Sequence, residues 1–159
     1  MAFLGNDRVR GYWVTPIAIG VVILLTSCFG SAPLILRVPS VALESVRSIG
    51  ETKAESSFES SWGNGTQIYN LLVIDVGTEG KQEALDRAAN LLGERSWVTV
   101  AENRPTIISM NSSKWKGVEV VLRPFNAAYL EDYPEVLRQL EKVPVEERSL
   151  VYIEVSKVP

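Results

Sequence analysis

No charged side chain occurs between Arg10 and Arg37, and that interval constrains the chain more than any other stretch. Its densest part, Ile17-Ala18-Ile19-Gly20-Val21-Val22-Ile23-Leu24-Leu25, contains no polar residue. A helix lying on a water-soluble core needs a polar face, and this run offers none. It follows a short polar start in which Arg8 and Arg10 outnumber Asp7. A basic start followed by an apolar run is the pattern of an export or membrane signal. Arginines before such a run favour the cytoplasmic side, so the rest of the chain is expected outside the cytoplasm.

Two fates of the run are open. Leu25-Thr26-Ser27-Cys28 resembles the lipobox of bacterial lipoproteins: an aliphatic residue, two small residues, then cysteine. The resemblance implies that residues 1–27 are a signal peptide and that the Cys28 thiol takes a diacylglyceryl group. Cys28 then becomes an acylated N-terminus held in the cell membrane on its extracytoplasmic face. Acyl chains anchor by about 0.8 kcal/mol per buried methylene, so more than one chain holds lastingly. In the alternative fate, Gly11 to Leu36 stays as a single membrane-spanning helix, long enough for a core about 30 Å thick. Tyr12 and Trp13 would then sit at the interface, and Pro33 would end the helix.

The remaining composition mostly excludes. The 159 residues carry a formal charge of -3, which gives no basic face for nucleic acid. The absence of histidine removes the commonest general base and the usual zinc sites. A lone cysteine permits no internal disulfide, so the fold must rest on core packing.

Residues 28–66 read as a lipidated start followed by a flexible stalk. The stretch Glu51 to Thr66 is rich in Ser, Glu and Gly, too poor in apolar surface to offset its ordering entropy. Val38, Val41, Ala42, Val46 and Ile49 have rough helical spacing and predict a short helix within it.

Residues 67–159 read as one α/β domain. Ile68 to Val76 is a nearly continuous β-favouring run, suited to a strand buried on both faces. Lys81 to Glu94 repeats apolar residues at helical spacing. Strands are expected at 97–101, 106–110, 118–122 and 150–155, with a second helix at 132–142. Asp132 and Glu135 have the spacing of a capping box at its start. The order β-α-β-β-β-α-β predicts an α+β two-layer sandwich, its sheet mostly antiparallel and both helices on one face. That layout resembles a ferredoxin-like split βαβ unit with an added strand. The helix segment Ala84 to Trp97 is also similar to small exported actinobacterial proteins of unassigned function.

Several residue groups carry chemistry on paper. Gly77-Thr78-Glu79-Gly80-Lys81 lies where a phosphate loop would, but its spacing is wrong for one. Asp75 and Glu79 would make a carboxylate pair, and Ser112 with Lys114 a nucleophile and base, if the fold joined them. Lys114-Trp115-Lys116 and Trp62 suit an interaction surface, with the tryptophans covering the core edge as the plainer role. The sequence therefore predicts a non-catalytic, membrane-anchored module that binds a protein or cell-envelope component, with no metal or cofactor. An extracytoplasmic hydrolase using the carboxylates or the Ser-Lys pair, and a single-pass accessory subunit, are the alternatives.

Overall fold

A computed structural model of the chain describes residues 33–142 and 149–159. Cys28, the lipobox and the core of the apolar run lie outside the described residues. Within them the elements are β1 (Leu34–Leu36), α1 (Ser40–Arg47), β2 (Glu51–Trp62), β3 (Gly65–Asp75) and α2 (Lys81–Glu94). There follow β4 (Trp97–Asn103), β5 (Ile107–Ser112), β6 (Val118–Pro124), a 3-10 turn (Ala127–Leu130), α3 (Pro134–Leu140) and β7 (Leu150–Lys157).

The β-favouring run at 68–76 becomes β3, the spine of the sheet. β2 pairs antiparallel along one of its edges, from Glu51 opposite Asp75 to Trp62 opposite Gly65. On the other edge β7 takes Asn70 to Asp75, while the short β1 runs parallel to Gly65–Gln67. β6, β5 and β4 then follow β7 in antiparallel order. The protein is thus α+β with an open, mostly antiparallel sheet, as the sequence predicts.

Alternate residues of β3 and β7 serve two cores. Leu72 and Ile74, with Val151, Ile153 and Val155, pack under α1 and α2 against Ala42, Val46, Leu85, Ala88 and Leu92. Leu71 and Val73, with Leu150 and Tyr152, pack under α3 and the 3-10 turn against Leu130, Val136 and Leu140. Full burial of each large aliphatic side chain contributes about 1.5–3 kcal/mol. The helices therefore divide between both faces, whereas the sequence predicts both on one. A strand that is apolar at every position from Leu71 to Ile74 demands cover on both sides, and α3 supplies the second.

Two further expectations are corrected. The described part of the 28–66 stalk, residues 33–66, forms β1, α1, β2 and the start of β3 rather than a spacer. β2 is polar, yet it is held by its backbone ladder to β3 and by the ring of Phe58 stacked on Tyr69 at 4.9 Å. Its hairpin closes over two residues, Gly63 and Asn64, with Gly63 at φ 53. Glycine in that first turn position suits the twist of a two-residue hairpin. The capping box is absent: Tyr133 is the residue before α3 and gives no side-chain cap, Pro134 opens the helix, and Glu135 instead accepts from the Ser56 hydroxyl at 2.5 Å.

Candidate functional site

α1 starts just after Pro39, which has no side chain able to accept a hydrogen bond, so the helix receives no side-chain cap. The first N–H groups of any helix lack intrahelical partners and carry partial positive charge. Arg37 stands two residues before that end. Across from it, β2 and β3 continue past α1 toward the hairpin tip and leave their helix-side face uncovered by it. The gap is a groove of about 640 Å³, lined by Arg37, Val38, Pro39, Ser40, Leu43, Ser57, Glu59, Ile68 and Asn70.

The register explains which β residues reach it. Asn70 pairs with Ser57 and Ile68 with Glu59, so these four share the face on which Leu72 and Ile74 form the core. Asn70 is only 9% exposed, and its Nδ2 has no hydrogen-bond partner among the described residues. A buried donor left without an acceptor costs about 1–3 kcal/mol. Arg37 and Glu59 are exposed at the rim. Neither forms an ion pair among the described residues, although such pairs do form beside them.

The far end of α1 is fastened. Arg47 donates from Nε to Glu55 Oε2 at 2.9 Å and from Nη2 to Glu55 Oε1 at 2.5 Å, a two-pronged bond to β2. That hydrogen bonding holds the guanidinium above its ordinary pKa, against a smaller opposing effect of burial. Elsewhere, burial pushes the Tyr152 phenol up to about 12 and raises the Glu154 carboxyl, with Arg123 opposing the latter and Glu119 adding to it.

The residues singled out by sequence are dispersed. Asp75 Oδ1 accepts from the Gly77 N–H at 2.9 Å, closing the turn after β3, and its Oδ2 lies 3.9 Å from Lys53 Nζ. Glu79 is exposed in the next loop. The Ser112 hydroxyl accepts from the N–H groups of Lys114 at 3.1 Å and Trp115 at 3.0 Å. It caps that turn and points its lone pairs at backbone rather than at the Lys114 amine. Among the described residues no cluster of Cys, Asp and Glu has the grouping of a metal site.

Of the interaction residues, Trp115 is half-buried, its ring 6.0 Å from that of Trp97, and packs on the core. Lys114 and Lys116 flank it and are exposed, and Lys116 lines a smaller groove of about 340 Å³ with Leu36 and Lys157. Trp62 is 43% exposed at the β2–β3 tip. Its ring lies over Gly65, where a Cβ would come within 2.9 Å of it. Trp62 and Trp115 thus occupy separate turns.

Arg37, Glu59 and Asn70 were not singled out by sequence. One signal was there: Asn70 is an amide inside the otherwise apolar run of β3. A strand expected to be buried on both faces has no use for it unless something meets it. No protein-family model, curated protein or solved structure matches this chain.

Proposed function

We propose that the protein is a membrane-tethered, extracytoplasmic binding module, acylated at Cys28, that presents the groove beside α1 to solutes or envelope components. The observation that carries the binding part is the groove itself. It brings an uncapped helix start, an arginine and a glutamate that make no ion pair among the described residues, and the buried Asn70 to one opening. Catalysis is the weaker reading, because Ser112 and Asp75 both spend their oxygens on closing turns.

The tether rests on the uncharged interval and the Leu25–Cys28 box. No described helix is long and apolar enough to cross a membrane. Of the interval Gly11 to Leu36 that would do so, residues 11–32 lie outside those residues and Leu34–Leu36 form β1 rather than helix; a retained single-pass helix ending by Pro33 is the competing mode of attachment. Kinship with exported actinobacterial proteins remains part of the same proposal and rests on the α2 sequence alone.

Metabolic labelling with a clickable palmitate analogue tests the tether. The wild type should take the label and Cys28→Ala should lose it. External protease should degrade the domain in intact cells or spheroplasts. A label that survives Cys28→Ala, or a domain protected until the membrane is broken, would overturn the reading.

A further inference from the structure

Large apolar side chains stay exposed at one end of the sheet. Leu34, Ile35 and Trp62 are 50%, 58% and 43% exposed. Leu34 and Trp62 both pair with Gly65, one from each side, and the Leu34 N–H donates to the Asn64 carbonyl at 3.1 Å. Paired residues share a face, so Leu34 and Trp62 stand on the same one, with the Trp62 ring over the glycine between them. Ile35 pairs with Thr66 and points to the opposite face. That end of the sheet is therefore apolar on both faces. The ladders bring a further turn to it. Val118 opens β6 opposite Lys157 of β7, and Lys157 shares a groove with Leu36 of β1. The turn before Val118 carries Lys114 and Lys116, both exposed. Segments 33–37, 62–65 and 113–117 make this rim, and they hold Arg37, Lys114 and Lys116 and no acidic residue. Glu59 is set back along β2 from Trp62, Glu119 is set back along β6 from Val118, and Glu94 ends α2 beside Arg95.

The chain enters the domain at this end. Cys28 precedes Leu34 by six residues, and a fully extended chain of that length reaches only about 20 Å. Either mode of attachment therefore brings Leu34, and the rim with it, close to the bilayer. We propose that the rim is a second membrane contact: Trp62, Leu34 and Ile35 enter the headgroup region of an anionic bilayer, and Arg37, Lys114 and Lys116 meet lipid phosphates around them. Tryptophan favours the boundary between headgroups and acyl chains, and cations near it are drawn to anionic lipid. Tethering makes the contact intramolecular, so a surface too small to hold a free domain suffices. A second copy on a two-fold axis would instead bring the same cations face to face. The proposal rests on the tether of the preceding reading, which supplies the nearness. It adds an orientation: the sheet stands end-on, with the end at Glu51 and Asp75 away from the lipid.

The test is tryptophan fluorescence of the full-length chain in vesicles of roughly three parts phosphatidylcholine to one part phosphatidylglycerol, with and without bromine in the acyl chains. Bromine quenches only tryptophans that reach the bilayer. Subtracting the signal of Trp62→Phe, which keeps an aromatic ring over Gly65, isolates Trp62, because the other tryptophans are common to both chains. Brominated lipid should remove at least about half of the Trp62 signal. Ile35→Ser leaves every tryptophan in place and should lose part of the quenching, with the circular dichroism spectrum unchanged. Lys114→Gln combined with Lys116→Gln should lower the quenching in the mixed vesicles and leave it unchanged in phosphatidylcholine alone. A chain that floats with the vesicles yet shows no quenching dependent on Trp62 overturns the contact and leaves the tether standing. A chain that does not float removes the tether and the contact with it. Trp62 shielded from bromine in a chain that cross-links as a dimer assigns the rim to a second copy and overturns the proposal.

Discussion

The two outer edges of the sheet are protected by different means. β2, at one edge, is mostly polar, and its exposed backbone is closed at Glu55 by a side chain. Gln139 of α3 accepts from the Glu55 N–H and donates to the Glu55 carbonyl, each at 3.0 Å. Its amide thereby takes the position a neighbouring strand's peptide would take. β4, at the other edge, keeps Val98 and Val100 at 56% exposure and has no such cover among the described residues. It relies on a register shift between Thr99 and Ala101 and on charges at its end, where Arg104 pairs with Glu102 and Asp86. Bulges and charges deter edge-to-edge pairing without stabilising the strand itself. An edge can therefore be secured by structure or by deterrence, and only the first appears in the stability of the fold.

The largest effect should come from the core that carries α3 to the guarded edge. Leu71→Ala empties a fully buried site in that core and should cost about 2–5 kcal/mol in urea unfolding. Next comes Gln139→Ala, which strips both partners from the Glu55 backbone and should cost about 1–3 kcal/mol. Hydrogen exchange should locate the loss, with the Glu55 amide exchanging faster while β4 amides are unchanged. Uniform acceleration across both edges would show that the guard acts globally instead.

Glu154 lies on β7 between the two halves, and burial raises its carboxyl above the ordinary range, with Glu119 adding and Arg123 opposing. A carboxyl raised in the folded state binds its proton more readily folded than unfolded. Stability therefore falls as pH rises through the interval from the unfolded value to the folded one, and the cost persists above it. Glu154→Gln should melt above wild type near about pH 7, with the difference shrinking on acidification below the ordinary carboxylate range. A difference that widens toward acid would reverse the assigned direction. The smallest effect belongs to the open edge. Val98→Lys should change stability by no more than about 0.5 kcal/mol, yet reduce light scattering on heating, because it adds a further deterrent.

The same contrast explains what was legible in the sequence. β3, α2, β5, β6 and β7 announce themselves through apolar runs and helical spacing, because burial selects those side chains, whereas β4 shows through β-favouring residues of which only Trp97 is buried. α1 was visible too: Val38, Ala42, Val46 and Ile49 are buried as its spacing predicts, although Val41 faces solvent. β2 was not, since its contribution is made by backbone groups that every residue type carries. The surviving clue was the two-residue link at Gly63-Asn64. The groove was least legible of all. Arg37 precedes α1, Glu59 sits on β2 and Asn70 on β3, and only the ladder register brings the three to one opening. Periodicity reports which residues are inside, and carries no information on which distant segments share a rim.

The two-pronged bond from Arg47 to Glu55 has a consequence for how that opening behaves. It sits at the C-terminal end of an eight-residue helix, about 12 Å along the axis from the mouth. One wall belongs to a seven-stranded sheet and is stiff, while the other is a single short rod pinned at its back. That rod is also fixed along its length, since Ala42 and Val46 are fully buried and Trp97 Nε1 donates to Ser45 Oγ at 3.3 Å. Salt, which weakens a partly exposed ion pair, therefore loosens one fastening of α1 and leaves its packing on the sheet in place.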